Sequence, residues 1–343
     1  MIQSSLPYWQ GDLWKKPLAD AIKDPRELFN ILQLPHEYLA AALEVTKVFP
    51  LRVTRSFVAR MQPGNINDPL LLQVLPLHVE KELTPGYSTD PVGDLMASKQ
   101  PGVLHKYHGR VLLVTTGACA VHCRYCFRRH FPYSQANPAA DHWQTALQYI
   151  AEDPSINEVI LSGGDPLSLS DQKLLSLASQ LGKIQHIRSL RIHSRLPVVL
   201  PQRISNALID PLTASRLQII MVIHSNHANE IDADVVSALR KLRQYDIPVL
   251  NQAVLLRQVN DNANALAKLS KTLFTHGVMP YYLHTLDKVQ GAAHFAVDSQ
   301  RMHTVYTELC RQLPGYLVPK LVTEHAGADF KTPVFNPRSP GAE

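Results

Sequence analysis

RVLLVTTGACAVHCRYC, residues Arg110–Cys126, is the stretch that decides the fold. Its first half, Val111–Thr116, is a run of β-branched residues and leucine that predicts a strand. Its second half is a loop carrying Cys119, Cys123 and Cys126, three of the chain's 4 cysteines, in a C-x3-C-x2-C pattern. Such clustering favours metal binding over disulfides. Thiolates are soft ligands that suit iron–sulfur clusters and zinc. Three cysteines would leave one iron of a cubane open to a ligand, whereas zinc would draw on a further donor such as His122 or His130. Spacing alone leaves both open. Tyr125 and Phe127 would shield such a centre from water, and Cys310, which stands alone, is assigned no role.

Outward from this stretch the pattern becomes regular. Further short apolar runs at Glu158–Leu161, Leu190–His193, Leu217–His224, Val249–Leu256 and Val278–Leu283 predict strands. Helical periodicity lies between them, at Asp141–Ala151, Asp232–Tyr245 and Asn264–His276. Strands alternating with helices imply a parallel sheet with right-handed crossovers. The fold class is α/β, and six units suggest a partial (β/α)6, TIM-like barrel; an open doubly wound sheet is the alternative. Polar residues gather where the strands end. Cys119 to Cys126 follow the first strand, Ser162-Gly163-Gly164-Asp165 the second and His193-Ser194-Arg195 the third. His224 to His227 end the fourth, Asn251 and Gln252 lie on the fifth, and Asp287 follows the sixth. This is the arrangement of a barrel active site.

The residues before the barrel read differently. Asp24–Leu34 and Glu37–Met61 have helical spacing, and Pro63–Pro101 is rich in turn residues, as a wrapping segment would be. We therefore expect a helical and wrapping segment over 1–105, a barrel over 106–325 and a C-terminal segment over 326–343. At 343 residues with 45% hydrophobic and 18% charged composition, the chain can bury a large core. The net charge of +5 is scattered, so no nucleic-acid partner is expected. No apolar stretch is long enough to span a membrane. Met1 to Leu18, with Trp9, Gln10 and Asp12, lacks the apolar core of a leader, which points to the cytoplasm.

C-x3-C-x2-C with an aromatic residue before its last cysteine resembles the radical S-adenosylmethionine (SAM) superfamily, and the fold expectation becomes a partial barrel of that type with an N-terminal helical extension. The resemblance implies a [4Fe–4S] cluster whose open iron chelates SAM, with Ser162, Gly163, Gly164 and Asp165 as the glycine-rich motif that contacts it. Arg110–Thr115, Cys119–Arg129, Ser162–Pro166, Ser194–Ile204, His224–Glu230, Asn251–Asn260 and Gly291–Phe295 resemble lysine 2,3-aminomutases, and the register holds from about Tyr107 to Lys331. That family adds pyridoxal 5′-phosphate (PLP), which needs a lysine able to form a Schiff base.

The register carries this role to Lys331, though the preceding Gly327-Ala328-Asp329-Phe330 has fewer glycines than the family pattern. It implies that Arg128 binds the substrate carboxylate and that Asp287 and Glu324 bind the distal ammonium. Glutamate at the last position departs from the family's aspartate. Tyr107 and Arg110 match positions near PLP and its phosphate, while His224 and Gln252 match positions near SAM.

The implied reaction is conversion of L-α-lysine to β-lysine, with an external electron donor and a possible homo-oligomer. The chain resembles the short subgroup whose β-lysine modifies elongation factor P. The rivals are an aminomutase for glutamate or another amino acid, and a metal-binding interaction protein without turnover. Acidic residues at the distal end disfavour the first, and polar residues at six strand ends disfavour the second.

Overall fold

The computed structural model describes residues 13–134 and 143–334. The start of the expected Asp141–Ala151 helix, and Trp9, Gln10 and Asp12, lie outside them.

Ten strands form one sheet in strict chain order: β1 (Ser98–Gln100), β2 (Val103–Tyr107), β3 (Arg110–Thr116), β4 (Glu158–Gly163), β5 (Ser189–Ser194), β6 (Gln218–His224), β7 (Val249–Val254), β8 (Val278–His284), β9 (Lys320–Thr323) and β10 (Thr332–Pro333). From β3 to β9 every neighbouring pair is parallel. An antiparallel β1–β2 ribbon leads into β3, and β10 folds back antiparallel on β9. Side chains from strands β2 to β8 line a single cavity, so the sheet curls into a partial barrel whose two end strands do not pair.

All six expected strand units are present. A seventh parallel strand, β9, extends the sheet with Leu321 opposite Leu283. It holds only four residues, Lys320–Thr323, too few to show a period. The outer helices start as their sequences dictate. Asp232 caps Ala233–Gln244 through Val235 N at 3.0 Å, and Asn262 caps Ala263–Thr275 through Ala265 N at 2.9 Å.

The N-terminal segment packs into the same core. Trp14, Ile22, Phe29 and Phe57 join one continuous apolar cluster with Leu161, Ile192, Ile223 and Leu283. Asp24 caps a helix over Pro25–Leu32, as its sequence predicts. The helical spacing of Glu37–Met61 does not make one helix: Leu39–Thr46 and Arg55–Val58 are helical, and Pro50 lies in the extended stretch between them.

Candidate active site

Immediately after β3 the chain enters the cysteine loop, which is fixed from two sides. On the barrel side, Gly164 N donates to Thr116 O (2.7 Å) and Asp165 N to Ala118 O (2.8 Å). On the N-terminal side, His122 N donates to Arg52 O and Arg124 N to Gln73 O, each at 2.9 Å. Glu80 lies under the loop, where its carboxylate receives Arg124 Nε (2.8 Å) and Arg129 Nη2 (2.8 Å), all three side chains being buried. Neither Glu80 nor Gln73 was identified from sequence, because nothing local marks a carboxylate that pairs with residues far along the chain.

Cys119, Cys123 and Cys126 all line the cavity. Burial and then the neighbouring thiols push Cys119 well up, and burial and Cys123 push Cys126 up to about 11. Thiols raised in this way lose their protons only against added positive charge, which a metal centre provides. The histidines of the zinc reading are engaged elsewhere: His122 Nδ1 lies 2.9 Å from Pro50 O, and His130 Nε2 lies 3.2 Å from Gln290 O. Tyr125 is buried as expected, but in a polar network. Its hydroxyl lies 2.7 Å from Asn226 Nδ2 and 2.9 Å from Arg195 Nη1, and the same Nη1 donates to Cys123 Sγ at 2.8 Å.

After β4, Gly163 adopts φ +116°, and a Cβ on Gly164 would lie 2.4 Å from Ala118 O. These glycines let the second strand's turn close against the cysteine loop. The Gly164 amide is used in that contact, and the Gly163 carbonyl accepts from Tyr133 Oη at 2.9 Å. Asp165 lines the cavity, yet its carboxylate accepts from Ser194 Oγ (2.7 Å), Arg195 N (2.8 Å) and Leu167 N (3.0 Å). It ties the end of β4 to the end of β5, and burial still pushes it up to about 6.

A chain of ion pairs crosses the cavity. Arg128 Nε meets Asp94 Oδ2 at 2.6 Å, and Asp94 Oδ1 meets Lys106 Nζ at 2.6 Å. Lys106 Nζ reaches Glu324 Oε1 at 2.8 Å, and Glu324 Oε2 bonds Lys331 Nζ. Thr332 pairs with Thr323, so residues 324–331 form a hairpin loop that carries both Glu324 and Lys331. Burial works against the charge on Glu324, but Lys331 and Lys106 hold it down to about 2. At Asp287 the same two lysines are outweighed: burial, then Glu324, push it up to about 7. Glu324, expected to be free for a substrate ammonium, already has two lysine partners; Lys106 and Asp94 were not identified from sequence.

The barrel interior completes the site. The Arg110 guanidinium lies 4.8 Å over the Tyr107 ring, and Arg191, His193, Tyr282, His284, His224 and Gln252 also face the cavity. Burial and then Arg195 drive His224 down to about 3, so it is neutral beside the Tyr125 hydroxyl. Arg191 with His193, and Tyr282 with His284, are pairs two apart on one strand face, a signal that sequence could have offered. The cavity measures about 550 Å³, within the usual range for small-molecule sites.

A curled parallel sheet with a three-cysteine loop after its first barrel strand and a Gly-Gly turn after its second defines a radical SAM enzyme, and the family model described as "Radical SAM superfamily" matches residues 113–269. The chain is 52% identical to the L-lysine 2,3-aminomutase of Escherichia coli K12, over 94% of each chain. It is 47% identical to the Haemophilus influenzae protein of the same name, over 93% of this chain and 94% of that one. The Clostridium subterminale L-lysine 2,3-aminomutase is 33% identical, over 94% of this chain and 77% of that one. The chain belongs to the L-lysine 2,3-aminomutase family. It is an isomerase whose cofactors are a [4Fe–4S] cluster, SAM and PLP. The residues fit these groups: three clustered soft donors, a turn opened by missing side chains, and the Lys331 amine within the same cavity as five arginines.

Proposed function

We infer that the protein converts L-α-lysine to β-lysine by moving the amino group from C2 to C3. The observation that carries this reading is the charge layout of one cavity, with Arg128 near the thiols and Asp287 and Glu324 beyond it. Arg128 suits a substrate carboxylate. Burial opposes its charge, Asp94 more than offsets that, and Ser162 Oγ lies 3.3 Å from its Nη1. Asp287 and Glu324 suit an ammonium, and a glutamate side chain there would meet like charge. Cys119, Cys123 and Cys126 would hold the cluster. The turn Ser162-Gly163-Gly164, clamped by Asp165, would receive SAM with His224 and Gln252 alongside. Lys331 would hold PLP, with Tyr107 and Arg110 toward its phosphate.

When bound, the cluster with SAM supplies hydrogen-atom abstraction, and PLP supplies an electron sink at the amino nitrogen. The protein's own part is placement. Glu324 touches the amine that serves the cofactor and sets it against the carboxylates that serve the substrate. The curled sheet encloses both, excluding water.

The boundaries 1–105, 106–325 and 326–343 describe the working parts: a cradle for the cysteine loop, the barrel, and the segment bearing Lys331. Reduced thiols and an external electron donor fit the cytoplasm; no helix among the described residues is long and apolar enough to cross a membrane. We further propose that the β-lysine modifies elongation factor P, and the mass of that factor with and without this gene tests it. Turnover assays with lysine, norleucine and glutamate test the substrate. Lysine alone should react, and preferential turnover of glutamate would contradict the reading.

A further inference from the structure

The inward face of β5 presents Arg191 and His193 two residues apart, both lining the cavity. Each carries a buried nitrogen with no hydrogen-bond partner among the described residues, Arg191 Nε and His193 Nε2. Nearby groups are served: Arg128 by Asp94 and Ser162, Lys331 by Glu324, and His224 by Tyr125. Burying a donor without an acceptor is costly, so two on one strand face point to an acceptor that arrives from outside.

The surrounding charges fix the sign of that acceptor. His193 is faced by Arg191 on its own strand, by Lys331 on the β9–β10 hairpin, by Arg128 on the cysteine loop and by His284 on β8. Burial, then Arg191 and Lys331, keep it neutral, and its Nε2, buried without a partner, donates in the Nε2–H tautomer. Glu158 on β4 takes Arg191 Nη2 and leaves Nε unpaired. Arg191 and Arg110 both act on the Tyr282 hydroxyl, which sets Arg191 beside the arginine read above as facing the phosphate.

We propose that Arg191 and His193 form an anion-binding dyad that takes an oxygen of a phosphate or carboxylate group of the bound ligands. The dyad rests on the reading of this cavity as the PLP and amino acid site. His193 in its Nε2–H tautomer and Arg191 through Nε would donate together, the other end of the Arg191 guanidinium being held by Glu158. Phosphate of the cofactor and carboxylate of the amino acid share this chemistry, and three titrations separate them.

Cluster-containing protein stripped of PLP is titrated with PLP, then with pyridoxal, which lacks the phosphate. Lysine is then titrated into PLP-loaded protein by calorimetry. His193→Leu and Arg191→Met should each weaken one anionic ligand about tenfold, while His193→Gln, which keeps an N–H, should stay within about threefold. Weakening of PLP with pyridoxal unchanged identifies the phosphate, and weakening of lysine alone identifies the carboxylate. Equal weakening of PLP and pyridoxal, or wild-type affinity for all three, would overturn the dyad. Iron content checks folding; should Arg191→Met fail through loss of Glu158's partner, the two His193 variants decide. Wild-type protein that binds no PLP would instead remove the underlying reading.

Discussion

At the scale of single residues, the cavity sets two carboxylates to opposite tasks. Glu324 is held ionised by two lysines, so its contribution to stability is present above its ordinary 4.5 and is lost as pH falls toward about 2. Asp287 runs the other way. Its value rises from 3.8 to about 7, so the contribution is complete at low pH and is lost as pH rises through about 7. Asp287→Asn should therefore raise the thermal midpoint of the ligand-free protein at pH 8, with little effect at pH 4, while weakening lysine binding. Melting curves at the two pH values, with lysine calorimetry, check this; equal midpoints at pH 8 would refute the assigned burial cost. Sequence showed Asp287 and Glu324 only through the family register. Their surroundings were out of reach, since Lys106 and Asp94 meet Glu324 and Arg128 only after β2 is laid beside β3.

Among the elements, the tightest fit lies between the turn after β4 and the cysteine loop. A Cβ on Gly164 would fall 2.4 Å from Ala118 O and 2.8 Å from Gly117 C, both backbone atoms. Gly164→Ala should cost about 1–3 kcal/mol of stability and lower the iron retained after reconstitution, measured by metal and sulfide analysis. Below the same loop, Glu80 is buried against two guanidiniums. Glu80→Gln removes the charge that pairs them and should destabilise the protein by about 3–5 kcal/mol, as read by chemical unfolding. A loss under 1 kcal/mol would show that the loop does not depend on this contact. The strands were legible because each is a short β-branched run ending in polar residues. The two-sided clamp was not, because sequence offers Asp165 as part of a SAM-contacting motif and does not mark Glu80 at all; their pairing with Ser194 and with Arg124 and Arg129 shows only in the fold.

For the whole molecule, sequence separated a wrapping segment from a barrel, and the core unites them. Ile22 bridges Val53, Phe57 and Leu28 are fully buried, and both belong to the apolar cluster that fills the outer face of the sheet. A chain beginning at residue 106 would expose that face, lose β1 and most of β2, and strip the cysteine loop of Glu80 and Gln73. It should not fold, and circular dichroism with a cooperative melt in that fragment would refute the shared core. The seventh parallel strand makes the same point at the other end, since β9 is placed by pairing with β8 and not by any period of its own.

The central claim is that one cavity unites a three-cysteine iron–sulfur site, SAM, PLP on Lys331 and a lysine held by charge at both ends. Anaerobic incubation of the reconstituted protein with L-lysine, SAM, PLP and a strong reductant tests it most directly. β-Lysine should form, and its formation should depend on all three cofactors. Cleavage of SAM with no β-lysine would contradict it.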